Sequence, residues 1–462
     1  VFPEREAPKV AEYSIRKTYG ELLTKLTDAF SRTDGKDPLF SLPIYYPLNY
    51  YLGDPADIDD YDFAAGRQKQ VVQLIRTVFL KRFESSVFSF ETTCDQLVRR
   101  LLAFLEVHCQ TDSERSTLEK WQRKHADILN YSHDKQLEIW EPEDDDGTFQ
   151  LAIWEPEDDV IPPEMIAKVE ELDRDEYDVV AMIHETFFDL DVAIGFLEET
   201  KQVTTAQDDK LKKLTEMLSS NEFANRKVLI FSEFADTVRY VAGHLQEAGI
   251  DGVEFLDSVS GKNRADVIKR FAPYYNGSST PQLQADGKRP IRILVATDVL
   301  SEGLNLQDAC RLINYDIHWN PVRLMQRIGR VDRRLDPEIE QAITMDQPDL
   351  ADDRGTIRYW NFLPPEELAP LLSLYERVTS KTLAISETLG IEGKKLLRPD
   401  DHYQALRDFN ADYEGATSVI EEMRLEYHDL LATHPGIEAR LNGLPNSMFS
   451  GRQRPADGTT GV

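Results

Sequence analysis

The stretch KVLIFSEF, residues 227–234, decides the fold class of this 462-residue chain. Its middle is a short apolar run between polar residues, which is typical of a strand buried on both faces of a parallel sheet. The amphipathic pattern ADTVRYVAGHLQEAG follows at once and predicts a helix that closes at Gly249. A strand joined directly to a helix is the repeating element of a parallel α/β sheet.

The same alternation continues toward the C-terminus. Four more strands are predicted in GVEFLDSVSG, IRILVATDVL, CRLINYDI and TIRYWNFL, and further helices in NRADVIKRFAPYY, PVRLMQRIGRVDR and residues 366–389. Residues 276–290 read as a polar loop. Ligands of such sheets bind beyond the carboxyl ends of the strands, so we expect the site after residues 230–231, 295–296 and 315–316.

The N-terminal half has a different pattern. Helical spacing of apolar residues covers residues 19–30, 67–133 and 164–220, and residues 36–66 read as loop. The heptapeptide IWEPEDD occurs at 139–145 and again at 153–159. It indicates either a local duplication in an acidic loop or a docking site for a basic partner.

Composition limits the function classes. A formal net charge of −30 argues against a protein that coats nucleic acid by bulk charge, but it allows a local basic groove. The three cysteines are odd in number and far apart, and the histidines are scattered. We therefore predict neither disulfides nor a metal site, and a reducing cytoplasm. Without an apolar run of membrane-spanning length or a signal-peptide pattern, no membrane association is expected.

The segment ATDVLSEGLNLQ, residues 296–307, carries the first candidate site. A buried strand runs into Thr297, and Ser301, Gly303 and Asn305 follow. Gly303 permits close backbone approach, and the hydroxyl and amide groups can bond phosphate, ribose or nucleic-acid backbone. The alternative is a plain turn between a strand and a helix.

The segment RLMQRIGRVDRR, residues 323–334, holds five arginines. On one helix, Gln326, Arg330 and Arg333 would share a face, with Arg327 nearby. Gly329 costs helix stability and therefore indicates a close approach by another backbone. Permanently charged, bidentate guanidinium groups suit a triphosphate or its transition state. The alternative is a solvated basic face paired with Asp332 and Asp336.

Taken together and in this order, the segments resemble the C-terminal half of a superfamily 2 helicase core, the Swi/Snf-like branch in particular. VLIFSEFADTVRYVAGHL is similar to motif IV, ILVATDVLSEGLNLQDACRLINYDIHWNP to motif V and the next strand, and QRIGRVDR to motif VI. The likeness covers about residues 226–335 and extends weakly to FPERE near the start. The form WNP followed by QRIGR resembles a bacterial branch of RNA-polymerase-recycling and phage-defence translocases.

This resemblance implies a role for each site residue. Arg330 and Arg333 would be arginine fingers reaching the γ-phosphate of ATP, and Gln326 would sense the nucleotide. Arg327 would pair with an acidic group of the other motor lobe. The remaining residues divide between nucleotide contact (Gly303, Asn305) and nucleic-acid contact (Ser232, Thr297, Ser301).

The resemblance also implies an incomplete motor. No Gly-Lys pair is followed by Ser or Thr, and DEYD at 175–178 follows a charged segment instead of a buried strand. The phosphate loop and the Mg²⁺-binding carboxylates are therefore missing. The chain also lacks an initiator Met, so we expect it to be a piece of a longer protein. ATP and Mg²⁺ would be bound mainly by an absent first lobe, and the fragment alone would not hydrolyse ATP.

The resulting fold prediction is α/β: a RecA-like parallel sheet with helices on both faces, a large helical insertion and a helical C-terminal extension. The domains would be a segment leaving the first lobe (1–64), the insertion (65–224), the RecA-like domain (225–395) and the extension with a flexible tail (396–462). The predicted function is the C-terminal lobe of a nucleic-acid-dependent ATPase that translocates on nucleic acid, with double-stranded DNA favoured over RNA. Its partners would be the nucleic acid, the first lobe and a protein bound by the insertion. The alternative is a non-catalytic helicase-like adaptor.

Overall fold

The computed structural model describes residues 2–30, 40–58, 61–140, 163–167, 169–257, 262–298, 305–317 and 321–368. The chain divides into two units, 1–391 and 392–462. The second unit, which includes the predicted C-terminal extension, lies outside the described residues. So do Ser301, Gly303, most of the predicted helix 366–389 and all of the IWEPEDD repeat beyond residue 140.

Seven strands form one sheet in the described part of the chain, in the order β1-β7-β6-β3-β5-β4, with β2 also paired to β7. Every strand pair is parallel. The strands are Glu4–Arg5 (β1), Lys9–Ala11 (β2), Val228–Phe231 (β3), Val253–Leu256 (β4), Ile293–Ala296 (β5), Arg311–Asn314 (β6) and Thr356–Phe362 (β7). The predicted parallel sheet, with its five strands from residue 227 onward, is confirmed.

The described helices fall into three groups along the chain. Two precede the loop at residue 40: Ile15–Tyr19 (α1) and Glu21–Phe30 (α2). Six form what we call the helical layer: Tyr61–Ser85 (α3), Val87–His108 (α4), Asp112–Trp140 (α5), Pro163–Ile166 (α6), Val179–Thr200 (α7) and Asp209–Leu218 (α8). Five alternate with the strands: Ala235–Glu247 (α9), Arg264–Phe271 (α10), Thr280–Ala285 (α11), Pro321–Ile328 (α12) and Pro337–Asp346 (α13).

Helices cover both faces of the sheet, as predicted. Along β3 the side chains alternate, so that Val228 and Ile230 belong to one buried cluster while Leu229 and Phe231 belong to the other. The first cluster continues without a break through α9 into the helical layer, and the second packs under α10 and α12. The helical layer and the sheet therefore share one hydrophobic core.

The N-terminal residues belong to the sheet. β1 and β2 pair with β7 on the side away from β6 and form the edge of the sheet, with Arg5 opposite Ile357 and Val10 opposite Asn361. The Glu6 carboxylate also accepts a 2.7 Å hydrogen bond from Nε of Arg358 on β7. This segment, which contains the FPERE sequence, is thereby fixed to the edge of the sheet.

Two local predictions were wrong, and one helix was missed. Residues 276–290 contain the short helix α11, because Ser279 caps its first turn by accepting from the Gln282 amide and a proline follows. Helix α13, capped by Asp336, was not predicted at all. Helix α12 ends at Ile328, five residues earlier than expected, and Gly329 begins a turn. None of the described helices is long and apolar enough to cross a membrane.

Candidate nucleotide-binding site

The ends of three adjacent strands lie level at one edge of the sheet. Phe231 is the last residue of β3 and is in register with Ala296 of β5 and Asn314 of β6. The segments predicted to carry the site follow these strands directly. The parallel topology therefore brings the residues after β3, β5 and β6 together, as expected from the sequence.

Arg327 on α12 is a deeply buried charged residue at this edge, with 1% of its surface exposed. Its guanidinium group forms a bidentate ion pair with Asp298, with Nε on Oδ1 at 2.5 Å and Nη2 on Oδ2 at 2.9 Å. Nη1 donates to the Asp316 carbonyl oxygen at 2.7 Å and to Oδ1 of Asn314 at 3.3 Å. The group also lies 5.3 Å from the centre of the Phe231 ring.

These contacts correct the prediction for Arg327. Its acidic partner is Asp298 of the same domain, not a group of another lobe. A guanidinium whose donors are engaged by buried acceptors holds protein segments together and is closed to a nucleotide. Arg327 therefore ties α12 to the residues that follow β5 and β6.

Arg330 and Arg333 lie in the turn after α12, so they do not continue one helical face with Gln326. The amide groups of Arg330 and Val331 donate to the carbonyl oxygens of Arg327 and Ile328, which closes the helix at Gly329. Arg330 and Arg333 are both partly buried, whereas Gln326 is exposed. Arg330 and Arg333 are thus positioned by a turn, and not by the helical face that was predicted.

Arg333 contacts Asn305, which was also predicted as a site residue from the sequence. Its Nη1 donates to Oδ1 of Asn305 at 2.6 Å, and its Nε donates to the Gly329 carbonyl oxygen at 3.3 Å. Within the described ranges these bonded partners are neutral oxygens, and burial lowers the pKa of Arg333. A partly desolvated positive charge that is bonded to neutral groups favours an anion.

Asn305 is itself held in place. Its carbonyl oxygen accepts a 2.8 Å hydrogen bond from Nδ2 of Asn276, which also donates to the Ala272 carbonyl at 2.7 Å. Further on, the carboxylate of Asp308 accepts from the amide groups of Tyr274 and Tyr275. The end of the predicted motif V is thus anchored to the segment that follows α10.

Ser232 lies in a different environment from the one predicted. It is fully buried, its amide donates to the Ala296 carbonyl at 3.0 Å, and its hydroxyl donates to the Asp316 carboxylate. The predicted contact between Ser232 and nucleic acid is therefore corrected, because the side chain is buried and bonded to Asp316. Thr297 is also buried, and its amide donates to the Leu256 carbonyl at 3.2 Å.

Several residues at this edge were missed by sequence reasoning. Asp298 and Asp316 each come just after a buried strand, and that position could have revealed them. Lys210, whose Nζ donates to Oδ1 of Asp316 at 2.9 Å, and Asn276 lie in other parts of the sequence with no chemical pattern, and nothing could have revealed them. No cluster of three or more potential metal ligands occurs among the described residues, so none of them is assigned to Mg²⁺.

Comparison with known proteins bears on this arrangement. Residues 209–334 match the family model described as the helicase conserved C-terminal domain. This part of the chain is similar to helicase C-terminal domains. The matched region begins at α8 and includes the whole edge described above, together with Arg330 and Arg333.

Curated relatives agree with the family match. An uncharacterized ATP-dependent helicase of Bacillus subtilis, YqhH, is 32% identical over 145 residues, which are 31% of this chain and 22% of that protein. The RNA polymerase-associated protein RapA of Photobacterium profundum is 32% identical over 127 residues, 27% of this chain and 12% of that protein. The matched region thus spans about a fifth or less of these relatives. These matches support the C-terminal lobe of a superfamily 2 helicase.

One solved structure resembles most of the chain loosely. The C-terminal part of the Fun30 ATPase domain aligns over 90% of this chain at 13% identity, with a TM-score of 0.33.

Proposed function

We propose that this chain supplies the C-terminal motor lobe of an ATP-dependent translocase of the Swi/Snf-like branch that acts on double-stranded DNA. The observation that carries the proposal is the state of Arg333, a partly buried guanidinium bonded to neutral oxygens at the edge where parallel sheets bind ligands. Arg330 lies three residues before it in the same turn. Both are suited to stabilise negative charge on a transferring phosphoryl group.

In this proposal the remaining site residues support the arginines. Asn305 holds Arg333 until a nucleotide takes its place, and Gln326 is exposed for contact with the nucleotide. Gly303 would also contact the nucleotide, and Ser301 would face the nucleic-acid backbone. Thr297, like Ser232, is buried, so its predicted contact with nucleic acid is withdrawn. ATP and Mg²⁺ would be held mainly by a first lobe outside this chain. Arg327 is reassigned from nucleotide contact to positioning α12.

The substrate class is tested with the longer protein that contains this chain. Steady-state ATP hydrolysis is measured without nucleic acid and with blunt double-stranded DNA, single-stranded DNA or double-stranded RNA. The proposal expects the largest stimulation by double-stranded DNA. It also expects the DNA concentration for half-maximal stimulation to rise steeply with salt, because phosphate contacts release counterions.

Two other results would overturn parts of the proposal. Equal stimulation by RNA would remove the preference for DNA while leaving the motor in place. No stimulation by any nucleic acid, with ATP still bound, would instead favour a helicase-like adaptor.

A further inference from the structure

A buried polar cluster joins the helical layer to the sheet at the same edge. It consists of Lys210 on α8, Glu84 and Ser85 at the end of α3, and Asp316 just after β6, and we call it the Lys210 cluster. Nζ of Lys210 donates to Oδ1 of Asp316 and to the Glu84 carbonyl oxygen, both at 2.9 Å. The Ser85 hydroxyl donates to Oδ2 of Asp316 at 2.7 Å.

Because the Lys210 cluster is buried, its ion pair depends on the exact positions of its members. The side chains of Lys210 and Asp316 are each 4% exposed, and the ammonium group lies 4.5 Å from the centre of the Tyr315 ring. Burial alone would lower the pKa of Lys210, but Asp316 and Glu84 outweigh it and the pKa is raised. Removing one member of a buried ion pair leaves the other uncompensated, so the pair persists only while the layer and the sheet keep their relative position.

Two ion pairs at the margin strengthen the same junction. Lys81 pairs with Glu233, and Arg82 pairs with Asp236, each at 2.8 Å. Both basic residues are on α3, and both carboxylates follow β3 within predicted motif IV. The end of α3 is therefore held against the residues that follow β3 and β6 by three sets of contacts: those of Lys81, those of Arg82 and those of the Lys210 cluster.

Asp316 connects this junction to the arginine turn. Its carboxylate binds the helical layer, while its carbonyl oxygen accepts Nη1 of Arg327 at 2.7 Å. Arg327 in turn is fixed to Asp298, and its own carbonyl oxygen accepts the Arg330 amide at 3.2 Å. One continuous set of hydrogen bonds thus runs from α3 and α8 through Asp316 and Arg327 to Arg330.

We infer that Lys210 is a positioning residue for ATP hydrolysis, through which the helical layer sets the placement of Arg330 by way of Asp316 and Arg327. The layer acts as a part of the motor that holds the arginine turn in its productive geometry. This inference rests on the proposed function, because it concerns the role of the same arginines.

The test is a double-mutant cycle in the longer protein, with ATP hydrolysis measured at saturating DNA. Lys210→Met keeps the length of the side chain and removes its charge, and Ser85→Ala removes one hydrogen bond to Asp316 with little risk to folding. We expect Lys210→Met to lower kcat about ten- to a hundredfold and Ser85→Ala about threefold, since small misplacements of catalytic groups are costly. KM for ATP should change less than twofold in both. In an Arg330→Ala background neither variant should lower kcat further.

Arg99→Met is the matched control. Arg99 forms a buried ion pair with Asp95 within α4 of the helical layer, at 2.7 Å and with side chains 4% and 1% exposed. It should lower the melting temperature as Lys210→Met does, but leave the kcat of the folded protein unchanged.

Each outcome decides the inference. It is overturned if Ser85→Ala and Lys210→Met leave kcat unchanged, if Arg99→Met lowers kcat equally, or if the losses add to that of Arg330→Ala. If Lys210→Met does not fold, the Ser85→Ala result decides alone. If Arg330→Ala alone has no effect, the proposed function fails first and the inference falls with it, which is a separate and recognisable result.

Discussion

Arg5 of β1 forms an ion pair with Asp332, which lies between Arg330 and Arg333 in sequence. The side chain of Asp332 is 3% exposed and that of Arg5 is 27% exposed. An edge strand at the very start of the chain thereby holds the arginine turn from one side, while Arg327 holds it from the other. One of these contacts, that of Arg5, joins residues more than three hundred positions apart in sequence.

Loss of this pair should destabilise the chain. Arg5→Ala leaves a buried carboxylate without this guanidinium, and we expect the free energy of unfolding to fall by about 1–3 kcal/mol, because the partial exposure of Arg5 moderates the cost of an unpaired buried charge. Urea denaturation of the chain measures it. Lys9→Ala is the control. Lys9 lies on the same N-terminal segment as Arg5 and pairs with Glu222, but the two side chains are 46% and 41% exposed. Its replacement should lower the free energy of unfolding by about 0–1 kcal/mol. Equal losses would contradict the account.

Arg327 should not tolerate lysine. A single ammonium group cannot reproduce the bidentate pair with Asp298 together with the bond to the Asp316 carbonyl. We expect Arg327→Lys to lower the free energy of unfolding by about 2–4 kcal/mol, since buried acceptors lose their donors. Arg334→Lys, at an exposed position of the same segment, is the control and should be neutral. A neutral Arg327→Lys would show that the buried contacts carry little stability.

Asp189 on α7 should make stability depend on pH. Burial raises its pKa to about 7, even though its carboxylate accepts from the amide groups of Ser41 and Leu42. The folded state therefore binds a proton more tightly than the unfolded state, in which an ordinary Asp titrates near pH 4. The stabilisation is complete below about pH 4 and is lost as the pH rises toward 7.

The comparison that isolates this group is Asp189→Asn against the unchanged chain. Unfolding free energies at pH 5 and pH 8 give the difference for each protein. We expect the decline from pH 5 to pH 8 to be smaller in the variant by about 1–3 kcal/mol, because one shifted carboxyl group no longer titrates. An identical decline in both proteins would show that Asp189 is not the titrating group.

The sheet could be predicted from the sequence because its strands are short apolar runs, and most of the segments between them have apolar residues at helical spacing. KVLIFSEF and IRILVATDVL each contain one strand, β3 and β5, although both strands are only four residues long and end before the predicted segments do. Their parallel order then brings the following polar residues to one edge without further information. The arginines and Asn305 were found in this way, and Arg333 does contact Asn305.

The contacts that hold the site could not be predicted in the same way. Lys210 reaches Asp316 across more than one hundred residues, and Arg5 reaches Asp332 across more than three hundred. In the sequence around Lys210 and around Arg5, nothing distinguishes these two residues from the neighbouring charged residues. The turn that carries Arg330 and Arg333 was also not predicted. Gly329 was interpreted as a glycine inside a helix that allows another backbone to approach, whereas the helix ends just before it.

The central claim is that Arg330 and Arg333 act on the transferring phosphoryl group. It is tested most directly by single-turnover ATP hydrolysis in the longer protein, with saturating double-stranded DNA, for Arg330→Ala, Arg333→Ala and the exposed neighbour Arg334→Ala. We predict that the first two lower the rate about a hundredfold or more while ATP is still bound, because an arginine finger acts on the transition state, and that Arg334→Ala stays within about twofold. Equal rates in all three variants would contradict the account.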